Sequence, residues 1–160
     1  MERRSNGVFG LIFLVCFFCG FCGADVKLPA VISEGMVLQQ NSEVPIWGWA
    51  DRGEKVSVNG SWGLLGKSTK ANEEGKWMVK IKTTKAGGPY SLTVKGDNEI
   101  KVDNVLIGEV WVCSGQSNMQ WPLSRTKNFD EEIAAANYPK IRLFSVPLVS
   151  TLSVQEDCNG

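Results

Sequence analysis

The 160-residue sequence contains no histidine at all. Histidine is the usual base that takes the proton from a nucleophilic serine, and it is the commonest metal ligand. These residues alone therefore supply neither a histidine-based catalytic triad nor a histidine metal centre. An excess of charge of one sign is also lacking, because 17 basic and 17 acidic residues cancel. Without a basic excess or a basic stripe, we expect neither a nucleic-acid partner nor attraction to an anionic membrane surface.

Cysteine is scarce outside one short segment. Of the five cysteines in the chain, Cys16, Cys19 and Cys22 lie inside an apolar run near the amino terminus, which argues against a metal site there. Cys113 and Cys158 remain. In an exported protein they form a disulfide with each other or with other partners, or Cys113 is a small buried residue at a strand end. The sequence does not choose between these states, and no metal site is predicted.

Residues 1–24 have the layout of a secretory signal peptide. Arg3 and Arg4 precede an apolar stretch over 8–22, and small residues ending at Ala24 follow it. A membrane anchor is the alternative, but the stretch falls short of the ~20 apolar residues that a spanning helix needs. We therefore predict cleavage after Ala24, entry into the secretory pathway and no membrane attachment afterwards. The expected location is extracellular or lysosomal, or periplasmic if the source is bacterial.

Residues 25–104 predict a small antiparallel β-sandwich. The segments 56–59, 77–82 and 90–95 alternate apolar and polar side chains, as half-buried strands do, and turns rich in glycine and asparagine separate them. No 3.6-residue helical period, internal repeat or low-complexity tract appears in this stretch. An all-β domain is the architecture that fits this spacing.

Four tryptophans stand in this region, at Trp47, Trp49, Trp62 and Trp77. Trp47 and Trp49 are two residues apart on one predicted strand and therefore share a face. Because one face of such a strand must be buried, core packing is favoured for this pair over a surface that stacks sugars.

Asn59 begins an Asn-Gly-Ser sequence in a predicted turn. This pattern accepts an N-linked glycan when it lies on the surface of an exported protein. Asn59 is therefore a candidate glycosylation site.

Ser117 is the candidate nucleophile of the chain. The apolar run over 105–112 predicts a covered parallel strand, and the chain then breaks into a polar turn at Ser114. Gly115 permits a tight bend, and a serine at the carboxyl end of a strand projects its hydroxyl into the crevice where open α/β sheets bind ligands. A structural role is the alternative, in which Ser114 or Ser117 caps the next helix.

The segment after Ser117 predicts the opening of a βαβ unit. Asp130 can cap a short helix over 131–136, and an apolar second strand is expected over 141–146. The spacing between the two predicted strands accommodates a crossover helix. The acidic residues at 130–132 are expected to complement the helix dipole rather than to act in catalysis.

The string Gly-Glu-Val-Trp-Val-Cys-Ser-Gly-Gln-Ser-Asn-Met over 108–119 resembles the nucleophile block of the sialate O-acetylesterases, a branch of the SGNH hydrolase superfamily. Gln116 stands where other branches of that superfamily carry an acid. Looser matches lie at 28–29, 32–39, 46–48 and 87–90. The resemblance implies an α+β multidomain protein, with the antiparallel β-sandwich over 25–104 followed by the start of a truncated SGNH-type α/β hydrolase domain over 105–160.

The resemblance also implies an activity, the hydrolysis of acetyl esters on sialic acids. Ser117 attacks the acetyl carbonyl, its backbone N–H is one donor to the oxyanion, and water later releases acetate. No metal or organic cofactor is required. The expected partner is an O-acetylated sialic acid or another acetylated glycan, while the oligomeric state is not indicated.

The family's later blocks, which supply the Asp and His of the triad, have no counterpart in these 160 residues. We therefore expect an amino-terminal fragment that is inactive by itself. Two alternatives stay open. One is a secreted β-sandwich that binds carbohydrate or protein without catalysis, and the other is an SGNH esterase that acts on another acetylated polysaccharide.

Overall fold

The computed structural model describes residues 25–158, which are mostly β-sheet with one short helix. The strands are β1 Val37–Gln39, β2 Glu43–Trp49, β3 Lys55–Gly60, β4 Lys67–Lys70, β5 Lys76–Lys82, β6 Gly87–Lys95 and β7 Glu99–Gly108. Two 3₁₀ turns, Ser117–Gln120 and Leu123–Arg125, and the helix α1 Phe129–Ala135 follow. None of the helices within 25–158 is long and apolar enough to cross a membrane. The predicted signal peptide lies outside the described residues.

The strands form two sheets. One has five strands in the order β1-β7-β6-β3-β4, and the other pairs β2 with β5. All neighbours are antiparallel except β1 and β7, which run parallel. The three strands expected from alternation are confirmed, since 56–59 lies in β3, 77–82 in β5 and 90–95 in β6.

Both sheets contribute to one hydrophobic cluster. Ile46 of β2, Val58 of β3, Leu92 of β6 and Val105 of β7 are each 0% exposed and belong to that cluster. Burial of each such side chain contributes about 1.5–3 kcal/mol before the entropy of ordering it is subtracted. Among the described residues, the buried hydrophobic ones all lie between Val26 and Ile107. The part of the chain that carries Ser117 therefore lies outside this core.

The strand that leads towards Ser117 differs from its prediction. The strand was predicted over 105–112, whereas β7 begins at Glu99 and ends at Gly108. It pairs with β6 and β1 in the five-stranded sheet. The predicted strand residues Val110, Trp111 and Val112 are exposed and lie outside any strand. β7 ends at Gly108 because its parallel partner β1 ends there too: Gln39, the last residue of β1, lies opposite Gly108.

Two further local predictions were wrong. The segment 141–146 is exposed and is not a strand. The segment forms no ladder with any described strand; it touches β7 only through a side chain, where Arg142 Nη2 donates to Asn104 Oδ1 at 3.2 Å. The helix begins two residues earlier than predicted, at Phe129, and its N-cap is Asn128 with φ 60° rather than Asp130. Asp130 lies instead in the first turn, where its charge complements the dipole.

Candidate active site

A set of hydrogen bonds fixes the direction in which the chain leaves β7 towards Ser117. The carboxylate of Glu109 accepts one hydrogen bond from Gln39 Nε2 at 3.0 Å and another from Gln40 Nε2 at 2.6 Å. The backbone N–H of Val110 donates to Gln39 Oε1 at 3.0 Å. The two hydrogen bonds donated to the carboxylate, the larger effect coming from Gln39 and the smaller from Gln40, hold the pKa of Glu109 below its ordinary value. We call the three side chains the Glu109 clamp; it joins the end of β1 to the segment that carries the candidate nucleophile.

The turn at Ser117 depends on a glycine. A Cβ on Gly115 would lie 2.6 Å from the side-chain Cγ of Met119, so any other residue at 115 would have to displace that side chain. Ser117 is the first residue of the 3₁₀ turn, and the N–H of Met119 donates to the carbonyl of Gln116 at 2.9 Å. The predicted sharp bend is present. It follows an irregular segment, however, and not directly a strand end.

The hydroxyl of Ser117 is exposed, and no side chain among residues 25–158 forms a hydrogen bond with it. It caps nothing: the N-cap of its own turn is Gln116, which makes no side-chain cap bond, and the N-cap of α1 is Asn128. The structural alternative of a capping serine is therefore not seen. What remains is an accessible hydroxyl without a neighbouring base in the described part of the chain.

No described cluster of side chains is built to hold a metal ion. Across 25–158 there is no group of three or more His, Cys, Asp and Glu side chains close enough to coordinate one. Both remaining cysteines are free thiols in the structure, Cys113 exposed and Cys158 partly buried. The interpretation of Cys113 as a buried strand-end residue was wrong, because β7 ends before reaching it.

Asn59 is exposed near the end of β3, and Ser61 lies in the turn that follows. The predicted turn thus begins after the asparagine itself. The Ser61 Oγ accepts a hydrogen bond from the N–H of Ser91 at 3.0 Å, which holds this turn against the start of the buried part of β6. Asn59 stays a prediction as a glycosylation site.

Trp47 and Trp49 share a face, as predicted, and Trp47 packs against the hydrophobic cluster from a half-buried position, but the more deeply buried face of β2 is the opposite one. The buried positions of β2 are Val44, Ile46 and Gly48, so the two indoles lie on the opposite side of the strand and are half-buried. Their rings meet edge to face with centroids 5.4 Å apart and planes at 72°.

A close backbone approach explains the direction of the two indoles. On the inner side of β2, a Cβ on Gly48 would collide with the carbonyl oxygen of Lys27, so that side has no room for a large residue. Lys27 is held there by reciprocal hydrogen bonds with the backbone of Trp49, at 2.8 and 3.0 Å. The glycine between the two tryptophans was the signal in the sequence, since glycine in a strand often marks a close approach of another backbone. Trp77 is buried in the core at 3% exposed, and Trp47 and Trp62 pack against that core from partly buried positions.

The fold agrees with that of a solved carbohydrate acetylesterase. The crystal structure of a carbohydrate acetylesterase from Xanthomonas citri matches 85% of this chain with a TM-score of 0.76 and 36% sequence identity, over 31% of its own chain. The described residues therefore have a partial hydrolase-like fold of the kind found in that enzyme. No protein-family profile matches the chain.

The sequence matches are more specific. Sialate O-acetylesterase of Mus musculus is 33% identical over 162 aligned residues, covering 94% of this chain and 30% of the mouse protein. The protein of that name in Homo sapiens is 32% identical over 162 residues, covering 94% of this chain and 31% of its own length. The chain is thus homologous to the sialate O-acetylesterases over most of its length, which confirms the resemblance. It spans less than a third of the length of these relatives.

Proposed function

We propose that this chain carries the nucleophile of an acetylesterase that removes acetyl groups from sialic acids or related glycans, and that Ser117 is that nucleophile. The observation that supports this most is the extent of the homology. An alignment covering 94% of 160 residues leaves out only about ten of them, and Ser117 lies more than forty residues from either end of the chain. The candidate serine is therefore inside the region shared with the sialate O-acetylesterases.

The chemistry assigned to Ser117 has two steps. Its Oγ attacks the acetyl carbonyl while a base takes the hydroxyl proton, and the sugar oxygen leaves with that proton as the acyl-serine forms. Water then attacks the acyl-serine and releases acetate. On this proposal the backbone N–H of Ser117 is one donor to the oxyanion. The exposure of the hydroxyl in the structure supports access by a substrate.

The mechanism also needs a base that takes the proton from the Ser117 hydroxyl. A serine hydroxyl is a weak nucleophile until a positioned base activates it, and these 160 residues contain no histidine. We propose that residues 25–104 form a supporting β-sandwich and that residues 105–160 open the SGNH-type catalytic domain. On this proposal the 160 residues by themselves are inactive. We further propose that the protein is exported through the secretory pathway with cleavage after Ala24. It would then act in an extracellular, lysosomal or periplasmic compartment.

The test begins with the transcript, which is sequenced past the codon for Gly160 so that the full reading frame is expressed. Release of acetate from an O-acetylated sialic acid is then measured for the wild type and for Ser117→Ala. We expect the substitution to lower kcat by about 10⁴-fold or more, as loss of a serine nucleophile does. Ser124→Ala, which removes a nearby exposed hydroxyl, is the matched control and should leave kcat within about twofold. Comparable activity of the wild type and Ser117→Ala would exclude the proposed role.

A second assay tests the isolated chain of 160 residues on the same substrate. We expect no acetate release above that of its Ser117→Ala variant. Activity that depends on Ser117 in this short chain would overturn the proposal that it lacks a base.

Two other functions have a specific observation behind them. The solved neighbour is a carbohydrate acetylesterase, which favours comparing acetylated xylan with acetylated sialic acid as substrates. The buried core lies wholly within 26–107, which favours a β domain that folds and binds without the serine segment. Saturable glycan or protein binding by residues 25–104, without the serine segment, would support that second function.

A further inference from the structure

We propose that the outer face of the β2–β5 sheet carries a binding site for an uncharged pyranose ring, built on Trp47 and Trp49. None of the residues that line it belongs to the segment around Ser117. The proposal therefore does not depend on the esterase chemistry, and its test uses binding alone.

The site has the shape of a small-ligand pocket. It has a volume of about 560 Å³ and is lined by residues of β2 and β5, by Asn72 and by the segment 154–156. Ligand sites in proteins are typically about 300–1,000 Å³ and are mostly apolar with a few placed polar groups. The two indoles meet at 72° and form an apolar corner, and Met78 lies beside it, opposite Trp47 in the β-ladder. Such a corner fits a rigid ring with apolar C–H faces.

Polar groups line the other side of the pocket. Lys76 Nζ lies 2.5 Å from Glu156 Oε1. The Asn72 Oδ1 accepts hydrogen bonds from the N–H groups of Glu74 and Lys76, at 3.1 and 2.8 Å. The amide NH₂ of Asn72 donates to no acceptor among residues 25–158. A carboxylate, an ammonium and a free amide beside an aromatic corner offer both acceptors and donors, which is what the hydroxyls around a sugar ring require.

The charge of the pocket decides between classes of sugar. Among the residues that line the pocket, the charged ones are Lys76 and Glu156, which neutralise each other, while Lys80 is exposed further along the same face of β5 and outside the lining. A sugar carboxylate, such as that of sialic acid, would meet the Glu156 carboxylate and would compete with it for Lys76. An uncharged pyranose avoids that competition. The site therefore complements a neutral sugar of a glycan better than an acidic one.

The test observes the tryptophans directly. In the full chain labelled with ¹⁵N at tryptophan, each indole N–H gives its own NMR signal, and Trp47→Phe and Trp49→Phe assign the two that matter. The probes are lactose and cellohexaose as neutral sugars, 3′-sialyllactose as the acidic counterpart of lactose, and a hexaproline peptide. We expect the neutral sugars to shift the Trp47 and Trp49 signals saturably and to leave Trp111, which is 84% exposed outside the pocket, unchanged.

Each other outcome counts against the proposal. If neither neutral sugar moves the two signals, the pocket is not a sugar site. If 3′-sialyllactose binds more tightly than lactose, the charge argument is wrong. If only hexaproline moves them, the corner is a peptide groove of the aromatic kind.

Substitutions give an independent check. Trp47→Ala should weaken binding of the neutral sugar by about tenfold, the loss expected for one aromatic contact, while Trp111→Ala as the matched control should change it less than about twofold. Glu156→Gln leaves the aromatic corner intact and frees the charge of Lys76, so it should raise the affinity for 3′-sialyllactose relative to lactose. This second variant decides the matter even if Trp47→Ala fails to fold, because an unchanged preference would contradict the assigned pocket.

Discussion

Replacement of Leu92 by alanine tests whether one core stabilises both sheets. Leu92 lies in β6, opposite Gly60 of β3 and Val102 of β7, and its side chain is 0% exposed. Removing a buried leucine side chain to Cβ costs about 2–5 kcal/mol, because apolar surface returns to water and the cavity closes only in part. Domains of this size are stable by only about 5–15 kcal/mol, so the loss is a large fraction of the whole.

Leu64→Ala is the matched control. Leu64 is 101% exposed in the loop between β3 and β4, so the same truncation there should change the free energy of unfolding by no more than about 0.5 kcal/mol. Urea unfolding followed by tryptophan fluorescence and by far-UV circular dichroism measures both. With a slope of about 1–3 kcal/mol per molar urea, a loss of about 3 kcal/mol lowers the midpoint by about 1–3 M.

Two results would refute this reasoning. Equal midpoints for the two leucine variants would mean that burial of Leu92 does not stabilise the protein. Ile46→Val extends the test to the two-stranded sheet, where Ile46 is 0% exposed, and should cost about 0.5–1.5 kcal/mol in the same single transition. A two-step transition, with the Ile46 variant affecting only one step, would show that the sheets do not share a core.

The remaining predictions concern the Glu109 clamp and the glycosylation site. Gln39 and Gln40 lower the pKa of Glu109 from its ordinary 4.5, so the clamp stabilises the fold above that pH and is lost as pH falls through the lowered pKa. In an NMR titration of the carboxyl carbon, replacing both glutamines by alanine should raise the pKa of Glu109 towards 4.5, whereas an unchanged pKa would contradict the clamp. Expression in a secretory host should attach a glycan to the exposed Asn59, and Asn59→Gln should abolish the added mass. A wild-type chain of unmodified mass would show that the site is not used.

The Glu109 clamp also links two parts of the resemblance to the sialate O-acetylesterases. The match over 32–39 ends at Gln39, and the match over 108–119 contains Glu109 and Ser117. In the structure, Gln39 is the residue of β1 that lies opposite the end of β7 and bonds to Glu109. The β region therefore does more than precede the serine segment in sequence, because its edge strand holds the start of that segment in place.

Much of the fold was predictable from alternation and turn chemistry. The strands over 56–59, 77–82 and 90–95 were found where expected, because a strand half buried against a core must alternate apolar and polar residues. Of the candidate active site, the sequence predicted one residue, Ser117. The string around Ser117 indicated the family and a candidate nucleophile, and the absence of histidine indicated that these residues supply no histidine base for it.

The sequence by itself determined which residues share a face, where the chain turns and which serine is the candidate nucleophile. Those properties are local, set by a period of two and by the geometry of glycine. Only the tertiary structure decided which face is covered and how far a strand extends. β2 is apolar on both sides, and the backbone of Lys27 over Gly48 sends Trp47 and Trp49 outward. β7 stops where its partner β1 stops, because a strand continues only while another backbone is there to accept its hydrogen bonds.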